Sequence, residues 1–241
     1  MERFSVDTIC FDYYGTLVDV GKPFVKIRQW FRKNLAARGQ AESEEAFYYC
    51  FARRRLKLTA EGKPFLRGAE VLVQSYLHAC RTFAVRGDEE AFRALLEKLF
   101  TEPPAFREAH EVLSVLRKKW RVGLLTNADN DVLLSSVRRQ GFAPDFICSS
   151  EDLQANKPQK IFFERAASRY ALDSQRTLMV GDSLTEDILP AGDRGWHAVL
   201  AARGYPKRSR GICIIENLRG LYGLLSWAGD DLPNAGADEK K

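Results

Sequence analysis

From residue 106 onward, segments with the apolar spacing of helices alternate with short, continuous apolar runs. The pattern predicts helices at 106–120, 130–140, 159–170, 184–194 and 217–227, and strands at 121–126, 146–149, 177–181, 198–201 and 212–215. Short apolar strands separated by helices are typical of a parallel sheet that is covered on both faces. Another apolar run at 6–11 needs strand partners, so we expect it to join this sheet. The sequence therefore predicts an α/β fold.

The segment between the first strand and residue 106 has a different character. From 22 to about 100 its apolar residues recur at intervals of three and four, which indicates helices and no strand. Asp88 is expected to cap the last of these helices, before Pro103 and Pro104 end the block. We therefore predict an all-helical insertion at 19–105, an α/β core at 1–18 and 106–229, and a flexible C-terminal tail at 230–241.

The composition limits the location and the partners of the protein. No run approaches the roughly 20 apolar residues of a membrane helix, and an acidic residue interrupts the N-terminus before a signal-peptide core could form. Five cysteines without a C-x-x-C pair are typical of reduced thiols. These features predict a cytoplasmic protein without a membrane partner, either a monomer or a homodimer.

The positive charge is concentrated in the helical insertion. The net charge is +5, and residues 19–105 carry all of it, with 16 Lys and Arg against 11 Asp and Glu. This excess is expected if the insertion receives a small anionic substrate, although an Arg-rich solvated surface would look the same. The short cluster Arg53-Arg54-Arg55 has no binding motif around it, so we expect no nucleic-acid partner.

Polar residues follow the carboxyl ends of the predicted strands, where open α/β sheets bind their ligands. Asp12 ends the first strand, and the further candidates near this edge are Thr126, Asn127, Lys157, Asp182 and Asp187. Carboxylates that lie close together repel one another unless a cation or a proton is present. A divalent metal beside the lysine would meet this need, and hard oxygen ligands next to a phosphate indicate Mg²⁺.

Four motifs at these positions resemble those of the haloacid dehalogenase-like (HAD) hydrolase superfamily, and the match covers nearly the whole chain. They stand, in the family's order, as D-Y-Y-G-T-L at 12–17, L-L-T-N at 124–127, K-P at 157–158 and G-D-S-L-T-E-D at 181–187. Each motif is weak alone, but four in order at strand ends are specific. The resemblance implies a Rossmann-like, doubly wound core and identifies the inserted helices as a C1 cap domain.

The resemblance also implies a role for each candidate. Asp12 would be the nucleophile that forms a covalent aspartyl intermediate, and Lys157 would neutralise charge on the nucleophile and the substrate. Thr126 and Asn127 would hold the transferring group through a hydroxyl and backbone N–H groups.

The metal site is implied in the same way. Asp182 would bind Mg²⁺ with Asp12 and the carbonyl oxygen of Tyr14. Asp187 would support the metal or orient Lys157.

One position departs from the phosphatases of the family. They carry an aspartate two residues after the nucleophile, where this chain has Tyr14. That aspartate protonates the leaving group, and losing such a positioned acid–base group costs about 10²–10⁴ in rate. A phenol, with a pKa of about 10, is a poor base at neutral pH. The 2-haloacid dehalogenases of the family carry a tyrosine at this position, because a halide leaves without a proton.

Three functions follow from this conflict. A phosphatase fits the metal site best, and we favour it. Either its esters have a leaving group that needs little protonation, such as aryl or acyl phosphates, or another group, for example one from the cap, supplies the proton. A 2-haloacid dehalogenase is the alternative, but the resemblance implies that such enzymes have no acid at position 182 and have a tyrosine where this chain has Phe163. The third is a binding protein that keeps the fold and has lost the chemistry.

Substrate identity is expected to depend on residues of the insertion that reach over the site. Lys22, Lys63 and Arg67 are candidates for binding a second anionic group of the substrate. The three histidines have no spacing typical of a metal site or a triad, and we expect surface or packed helix residues at His78, His110 and His197.

Overall fold

The computed structural model describes residues 3–61, 64–203 and 211–227. Its strands are β1 Thr8–Phe11, β2 Arg121–Thr126, β3 Phe146–Ser149, β4 Thr177–Gly181, β5 His197–Ala201 and β6 Cys213–Ile215. They form one sheet of order β3-β2-β1-β4-β5-β6, and every neighbouring pair is parallel. Strands β2 and β3 lie on one side of β1, and the chain then crosses to the other side of β1, where β4, β5 and β6 lie. A crevice is therefore expected at the carboxyl ends of β1 and β4.

Between residues 19 and 105, the described part of the chain contains helices and no strand. These are α1 Gly21–Ala36, α2 Glu44–Glu61, α3 Gly68–Thr82 and α4 Glu89–Thr101, with a 3₁₀ turn at Ala41–Ser43. Their inner faces pack into an apolar cluster of their own, in which the rings of Phe31 and Tyr76 stack with centroids 5.6 Å apart. Asp88 caps α4 as predicted, because its side chain accepts a hydrogen bond from the N–H of Ala91. We call this helical unit the cap and the remainder the core.

Helices also cover both faces of the sheet. They are α5 Ala109–Leu116, α6 Asn130–Gln140, α7 Ser150–Leu153, α8 Lys160–Tyr170, α9 Leu189–Gly192 and α10 Leu221–Leu224. Along β1, Ile9 and Phe11 belong to the apolar cluster on one face and Cys10 to the cluster on the other. A strand buried on both sides reads as a continuous apolar run, which is why the sequence identifies it. The predicted doubly wound α/β fold is confirmed.

The segments that enter and leave the cap run side by side. Val18 and Ala105 form an antiparallel bridge, and the N–H of Asp19 donates to the carbonyl of Pro104 (2.8 Å). The cap is therefore attached directly after the loop that carries Asp12.

Several predicted helices are shorter or more broken than expected. The helix predicted at 106–120 is limited to α5, since residues 117–119 form turns. The segment 184–194 forms a π-helical turn, Leu184–Ile188, and then α9, because Pro190 has no N–H with which to continue the first turn. Gly220 and Gly223 lie in the segment 217–227, which forms only a 3₁₀ turn, Leu218–Gly220, and α10.

Within the described ranges, no helix is long and apolar enough to cross a membrane. The predicted tail at 230–241 and the last two residues of the predicted core, 228 and 229, lie outside those ranges. The domain boundaries at 18/19 and 105/106 stay predictions.

Candidate active site

A tight loop after β1 presents Asp12 at the carboxyl edge of the sheet. The N–H of Asp12 donates to the carbonyl of Val180 in β4 (2.9 Å), and its side chain is buried. Tyr13 packs into the core with its hydroxyl 2.9 Å from that of Ser136, whereas Tyr14 lines a cavity between core and cap. The loop thus separates a structural tyrosine from one that faces the site.

The ammonium group of Lys157 lies between two carboxylates. Its Nζ donates to Oδ1 of Asp12 (2.8 Å) and to Oδ1 of Asp187 (2.5 Å), and all three side chains are buried. Burial alone would lower the pKa of Lys157, but the two carboxylate charges more than offset it and raise that pKa. For Asp187, burial acts in the opposite direction and raises the pKa, because it disfavours the charged carboxylate. This effect outweighs the positive charge of Lys157, which acts to lower that pKa. Lys157 is therefore a fixed positive charge beside Asp12.

Asp182 completes a group of three carboxylates that could hold a metal ion. One oxygen from each of Asp12, Asp182 and Asp187 lies within 4.8 Å of the others. The second oxygen of Asp187 accepts a hydrogen bond from the N–H of Ser183 (3.1 Å). Because both Asp187 oxygens have protein donors, this residue is held as the partner of Lys157. All three carboxylates remain candidates for holding a metal ion.

Two glycines leave the space that these carboxylates occupy. A Cβ on Gly15 would lie 2.4 Å from Oδ2 of Asp182, and a Cβ on Gly181 would lie 2.3 Å from Oδ2 of Asp187. Gly15 also has a φ of +95°, which a residue with a side chain rarely adopts. The donors in this space are carboxylate oxygens, the ligands that Mg²⁺ and Ca²⁺ prefer. The residues present fit a hard divalent cation.

Thr126 and Asn127 lie at the end of β2 and line the cavity. The side chain of Asn127, however, contacts the backbone of Lys157 at two points. Its Nδ2 donates to the lysine carbonyl (2.9 Å), and its Oδ1 accepts from the lysine N–H (2.7 Å). We did not predict this clamp. It leaves the Thr126 hydroxyl and the backbone of Asn127 as the groups that could meet a substrate.

The hydroxyl of Tyr14 is directed towards the cap. It donates to the backbone carbonyl of Phe100 in α4 (3.1 Å). Burial, followed by nearby ionisable groups that include Asp129 and Asp12, raises the pKa of the Tyr14 phenol well above its ordinary value. A phenol in this state is a poor acid and a poor base at neutral pH.

A second unpredicted contact joins the cap to the loop after β2. Asp129 is buried and accepts hydrogen bonds from the N–H groups of Gly68 (2.5 Å) and Ala69 (2.9 Å) at the start of α3. Burial raises the pKa of this carboxyl in spite of those hydrogen bonds. From the sequence alone, Asp129 looks like an ordinary N-cap residue of α6. Its side chain instead accepts hydrogen bonds from the first turn of α3, a helix of the cap.

The expectation for Arg67 is wrong. We expected its guanidinium to be available to a second anionic group of the substrate. Instead it is 2.7 Å from Asp131, 3.5 Å from Glu151 and 3.8 Å from Asp129, so core carboxylates already neutralise it. Lys63 and the side chain of Lys22 lie outside the described part of the chain.

The histidines lie away from the cavity. His110 stacks on Phe142 with ring centroids 4.4 Å apart, and His78 is half-buried on α3. His197 begins β5, with a ring nitrogen 3.0 Å from the carbonyl of Gln175. Among the described cavity-lining residues there is no histidine.

A carboxylate fixed beside a buried ammonium group, at the crossover of a doubly wound sheet, is an arrangement suited to hydrolysis with an aspartate nucleophile. The sequence comparison identifies the class. Residues 6–193 match the family described as haloacid dehalogenase-like hydrolase, and the chain belongs to that family. The resemblance inferred from the four motifs is confirmed.

The known proteins that are similar to this chain include a nucleotidase and a dehalogenase. The pyrimidine 5'-nucleotidase PynA of Streptococcus pneumoniae (strain ATCC BAA-255 / R6) is 32% identical over 91 residues, so the match spans 36% of this chain and 38% of that protein. A solved dehalogenase has a TM-score of 0.75 at 20% identity, covering 93% of this chain and 99% of its own. The putative HAD-hydrolase YfnB from Bacillus subtilis, solved bound to magnesium, has a TM-score of 0.71 at 20% identity, covering 94% and 100%. At such identities the structural likeness shows the fold alone.

Proposed function

We propose that the protein is a Mg²⁺-dependent hydrolase that dephosphorylates a small substrate through an aspartyl-phosphate on Asp12. The carrying observation is the cluster of Asp12, Asp182 and Asp187 around Lys157. Three ionised carboxylates would exceed the charge of one ammonium group, and a further cation would stabilise the cluster in that state. That cation and Lys157 together would attract a phosphoryl group. The name of the relative PynA, a nucleotidase, supports a phosphomonoester substrate.

In the proposed reaction, a carboxylate oxygen of Asp12 attacks phosphorus and the bond from phosphorus to the leaving oxygen breaks. The hydroxyl of Thr16, 3.3 Å from Oδ2 of Asp12, helps to orient the nucleophile. Lys157 keeps a positive charge beside the oxygens of the transferring group, which Thr126 and the backbone of Asn127 would hold. Water then attacks the phosphorus and the bond from phosphorus to the Asp12 oxygen breaks. Hydrogen phosphate leaves, the second proton of the water passes to solvent, and the Asp12 carboxylate is regenerated.

Asp12, Asp182 and the carbonyl of Tyr14 would hold the Mg²⁺. When bound, the ion supplies positive charge that stabilises the transferring oxygens. Asp187 would act beside this site by fixing Lys157, through the 2.5 Å hydrogen bond to its ammonium group.

The leaving group is the point at which this chain differs from a phosphatase with a second aspartate. The hydroxyl of Tyr14 donates a hydrogen bond to the backbone carbonyl of Phe100, and its pKa is raised. Tyr14 is therefore poorly suited to protonate an alkoxide. Substrates whose leaving group needs little protonation, such as aryl or acyl phosphates, avoid this difficulty. We expect them to be the preferred class, acted on in the cytoplasm by a monomer or homodimer that needs neither nucleic acid nor a membrane.

Carbon–halogen hydrolysis is the second candidate, and Tyr14 is the observation that favours it. Asp12 would then attack carbon and expel a halide, which needs no proton. Two further features oppose it. Asp182 would repel the carboxylate of a haloacid, and Phe163, where those dehalogenases carry a tyrosine, is buried in the core.

The dehalogenases also use a cap arginine, which the sequence does not match to Arg28, Arg32 or Arg38. None of these three is among the described residues that line the cavity, whereas Arg55, Arg67 and Arg93 of the cap are. Arg28 pairs with Glu44 instead (2.5 Å).

A paired screen tests the proposal. The purified protein is assayed with an aryl phosphate and with a 2-haloacid, each with EDTA and with added Mg²⁺, and Asp12→Asn is the control in every arm. We expect phosphate release that EDTA removes and Mg²⁺ restores, with no turnover by Asp12→Asn. Since Tyr14 is a poor base, the aryl alcohol should appear in a burst before the steady state.

Two other results would replace the proposal. Halide release that is indifferent to EDTA, without phosphatase activity, would establish the dehalogenase. No turnover in any arm, with phosphate binding still detectable by calorimetry, would establish a binding protein that has lost the chemistry.

A further inference from the structure

The cavity above Asp12 is much larger than the chemistry alone requires. Its volume is about 780 Å³, and both the core and cap helices line it. Cavities of about 300–1,000 Å³ hold ligands of drug size. A phosphoryl group beside Asp12 and Asp182 leaves most of this volume for the leaving group.

One wall of the cavity is aromatic. The rings of Tyr14 and Phe100 meet edge to face with centroids 5.7 Å apart, and those of Phe100 and Phe24 do so at 5.9 Å. All three rings line the cavity and form a continuous surface from the nucleophile loop to α1 of the cap. A flat, unsaturated group packs favourably on such a surface.

A cation lies at the far end of this wall. The guanidinium of Arg55, in α2, is 5.8 Å from the ring centroid of Phe24 and lines the same cavity. Two other arginines line it, but Arg67 pairs with Asp131 and Arg93 pairs with Glu70 (2.8 Å). Arg55 differs from both, because it has no carboxylate partner within residues 3–61, 64–203 and 211–227.

Resting on the phosphatase function proposed above, we propose that the cavity selects phosphomonoesters whose leaving group is a flat, unsaturated ring bearing a carboxylate or carbonyl oxygen. Arg55 is the specificity-determining residue that binds this oxygen. The ring lies along Phe24 and Phe100, and its phosphorylated end reaches Asp12. A half-buried guanidinium without a protein carboxylate can donate hydrogen bonds to an oxygen of the substrate. Such charge-assisted hydrogen bonds are stronger than those between neutral groups.

The test compares three esters that differ in one group. Phenyl phosphate, 3-carboxyphenyl phosphate and 4-carboxyphenyl phosphate are assayed with Mg²⁺ on the wild type, Arg55→Ala and Arg53→Ala. Arg53 is the matched control, because it is an exposed arginine of the same helix that does not line the cavity. For the better of the two carboxylated esters, Arg55→Ala should lower kcat/KM about tenfold, mainly through KM. Phenyl phosphate should change by less than about twofold in either variant, because it has no carboxylate oxygen for Arg55 to bind and the charge of Arg53 is exposed.

The ratio between esters is measured on one preparation, so a partly unfolded variant does not distort it. If Arg55→Ala changes all three esters by the same factor, or none of them, the assigned substrate class is wrong while the phosphatase stands. If the wild type hydrolyses none of the three in the presence of Mg²⁺, the phosphatase function itself is wrong and the substrate class falls with it.

Discussion

The side-chain amide of Asn127 makes two hydrogen bonds with the backbone of Lys157, one to its carbonyl and one from its N–H. The ammonium end of the same lysine donates to the carbonyl of Leu125 (3.0 Å) as well as to Asp12 and Asp187. Both ends of Lys157 are therefore fixed by the end of β2. The positive charge beside Asp12 is thus positioned by Asn127, whose side chain need not contact the substrate.

Removing this clamp should impair both stability and catalysis. Asn127→Ala loses two partly buried hydrogen bonds, which we expect to lower the free energy of unfolding by about 1–3 kcal/mol. Because a shift of 1 Å in a catalytic group can cost about 10²-fold, kcat should fall about ten- to a hundredfold. Urea denaturation and steady-state kinetics measure the two effects. Asn34→Ala is the control, since Asn34 makes a similar bond to Trp30 (2.9 Å) in the cap, and unchanged kcat in Asn127→Ala would refute the role of the clamp.

The buried charges around Lys157 should depend on one another. In Lys157→Met, two buried carboxylates lose their cation, and we expect a loss of about 3–5 kcal/mol in the absence of Mg²⁺. Adding Asp187→Asn removes one of the stranded charges, so the double variant should regain stability but not activity. Thermal and urea unfolding measure this.

Lys160→Met is the matched control for that experiment. It removes an exposed ion pair with Glu164 (3.5 Å) and should change stability by less than about 1 kcal/mol. Equal losses in Lys157→Met and Lys160→Met would show that the buried cluster does not stabilise the fold.

Much of the fold could be predicted because strands that are buried on both faces appear in the sequence as continuous apolar runs. The strands predicted at 121–126 and 177–181 are β2 and β4 without a change of boundary. Helix ends were harder, because one residue such as Pro190 decides them locally. The short helix α7 was missed although Ser149 and Asp152 form a capping box that its sequence encodes.

The site could be predicted as far as strand ends determine it. Asp12, Thr126 and Asp182 lie at the carboxyl ends of three neighbouring strands, so the sheet topology alone predicts that they converge. The contact of Asp129 with α3 could not be predicted, because it joins positions about 60 residues apart and depends on how the cap packs on the core. The type of residue does not reveal which backbone groups the side chain of Asp129 or Asn127 will bind.

The hydroxyl of Tyr14 should matter to packing and not to chemistry. Tyr14→Phe removes only its hydrogen bond to Phe100, so we expect a loss of about 1 kcal/mol in stability and kcat within a factor of about three. Tyr14→Asp, in contrast, introduces an acid–base group two residues after Asp12 and should raise steady-state turnover of phosphate esters, by up to about 10²-fold. Both are measured with aryl and alkyl phosphates. Loss of turnover in Tyr14→Phe would make the hydroxyl a participant in the reaction.

The glycine beside Asp182 should be required for metal binding. In Gly15→Ala, the new Cβ would lie 2.4 Å from Oδ2 of Asp182, so the carboxylate must move. We expect calorimetry to show Mg²⁺ affinity lowered by at least about tenfold, the equivalent of one lost ligand interaction of about 1.4 kcal/mol. Gly39→Ala is the control, because Gly39 also has a positive φ (+70°) but has no neighbouring atom within 4 Å. Both variants should share a backbone strain of about 1–2 kcal/mol, so an equal effect on Mg²⁺ binding would contradict the assigned site.

Acid should destabilise the protein partly through Glu108. Its side chain is buried against Arg203 and accepts a hydrogen bond from the N–H of Leu218 (3.2 Å). Burial acts to raise the pKa of Glu108, but backbone hydrogen bonds and the charge of Arg203 outweigh it and leave the pKa below its ordinary value of 4.5. A depressed pKa means that the folded state favours the ionised form. The resulting stability is present above pH 4.5 and is lost as the pH falls through the lower, folded-state pKa.

Glu108→Gln should therefore lower the free energy of unfolding at pH 7 by about 3 kcal/mol, because it leaves Arg203 buried without its partner. The difference from the wild type should shrink as the pH falls below 4.5, since the wild-type carboxyl then also loses its charge. Urea denaturation from pH 7 to pH 3 measures both trends. Glu111→Gln is the matched control, because its pair with Arg219 is exposed and should contribute less than about 1 kcal/mol. A difference between wild type and Glu108→Gln that stays constant over this range would mean that Glu108 does not stabilise the fold through its charge.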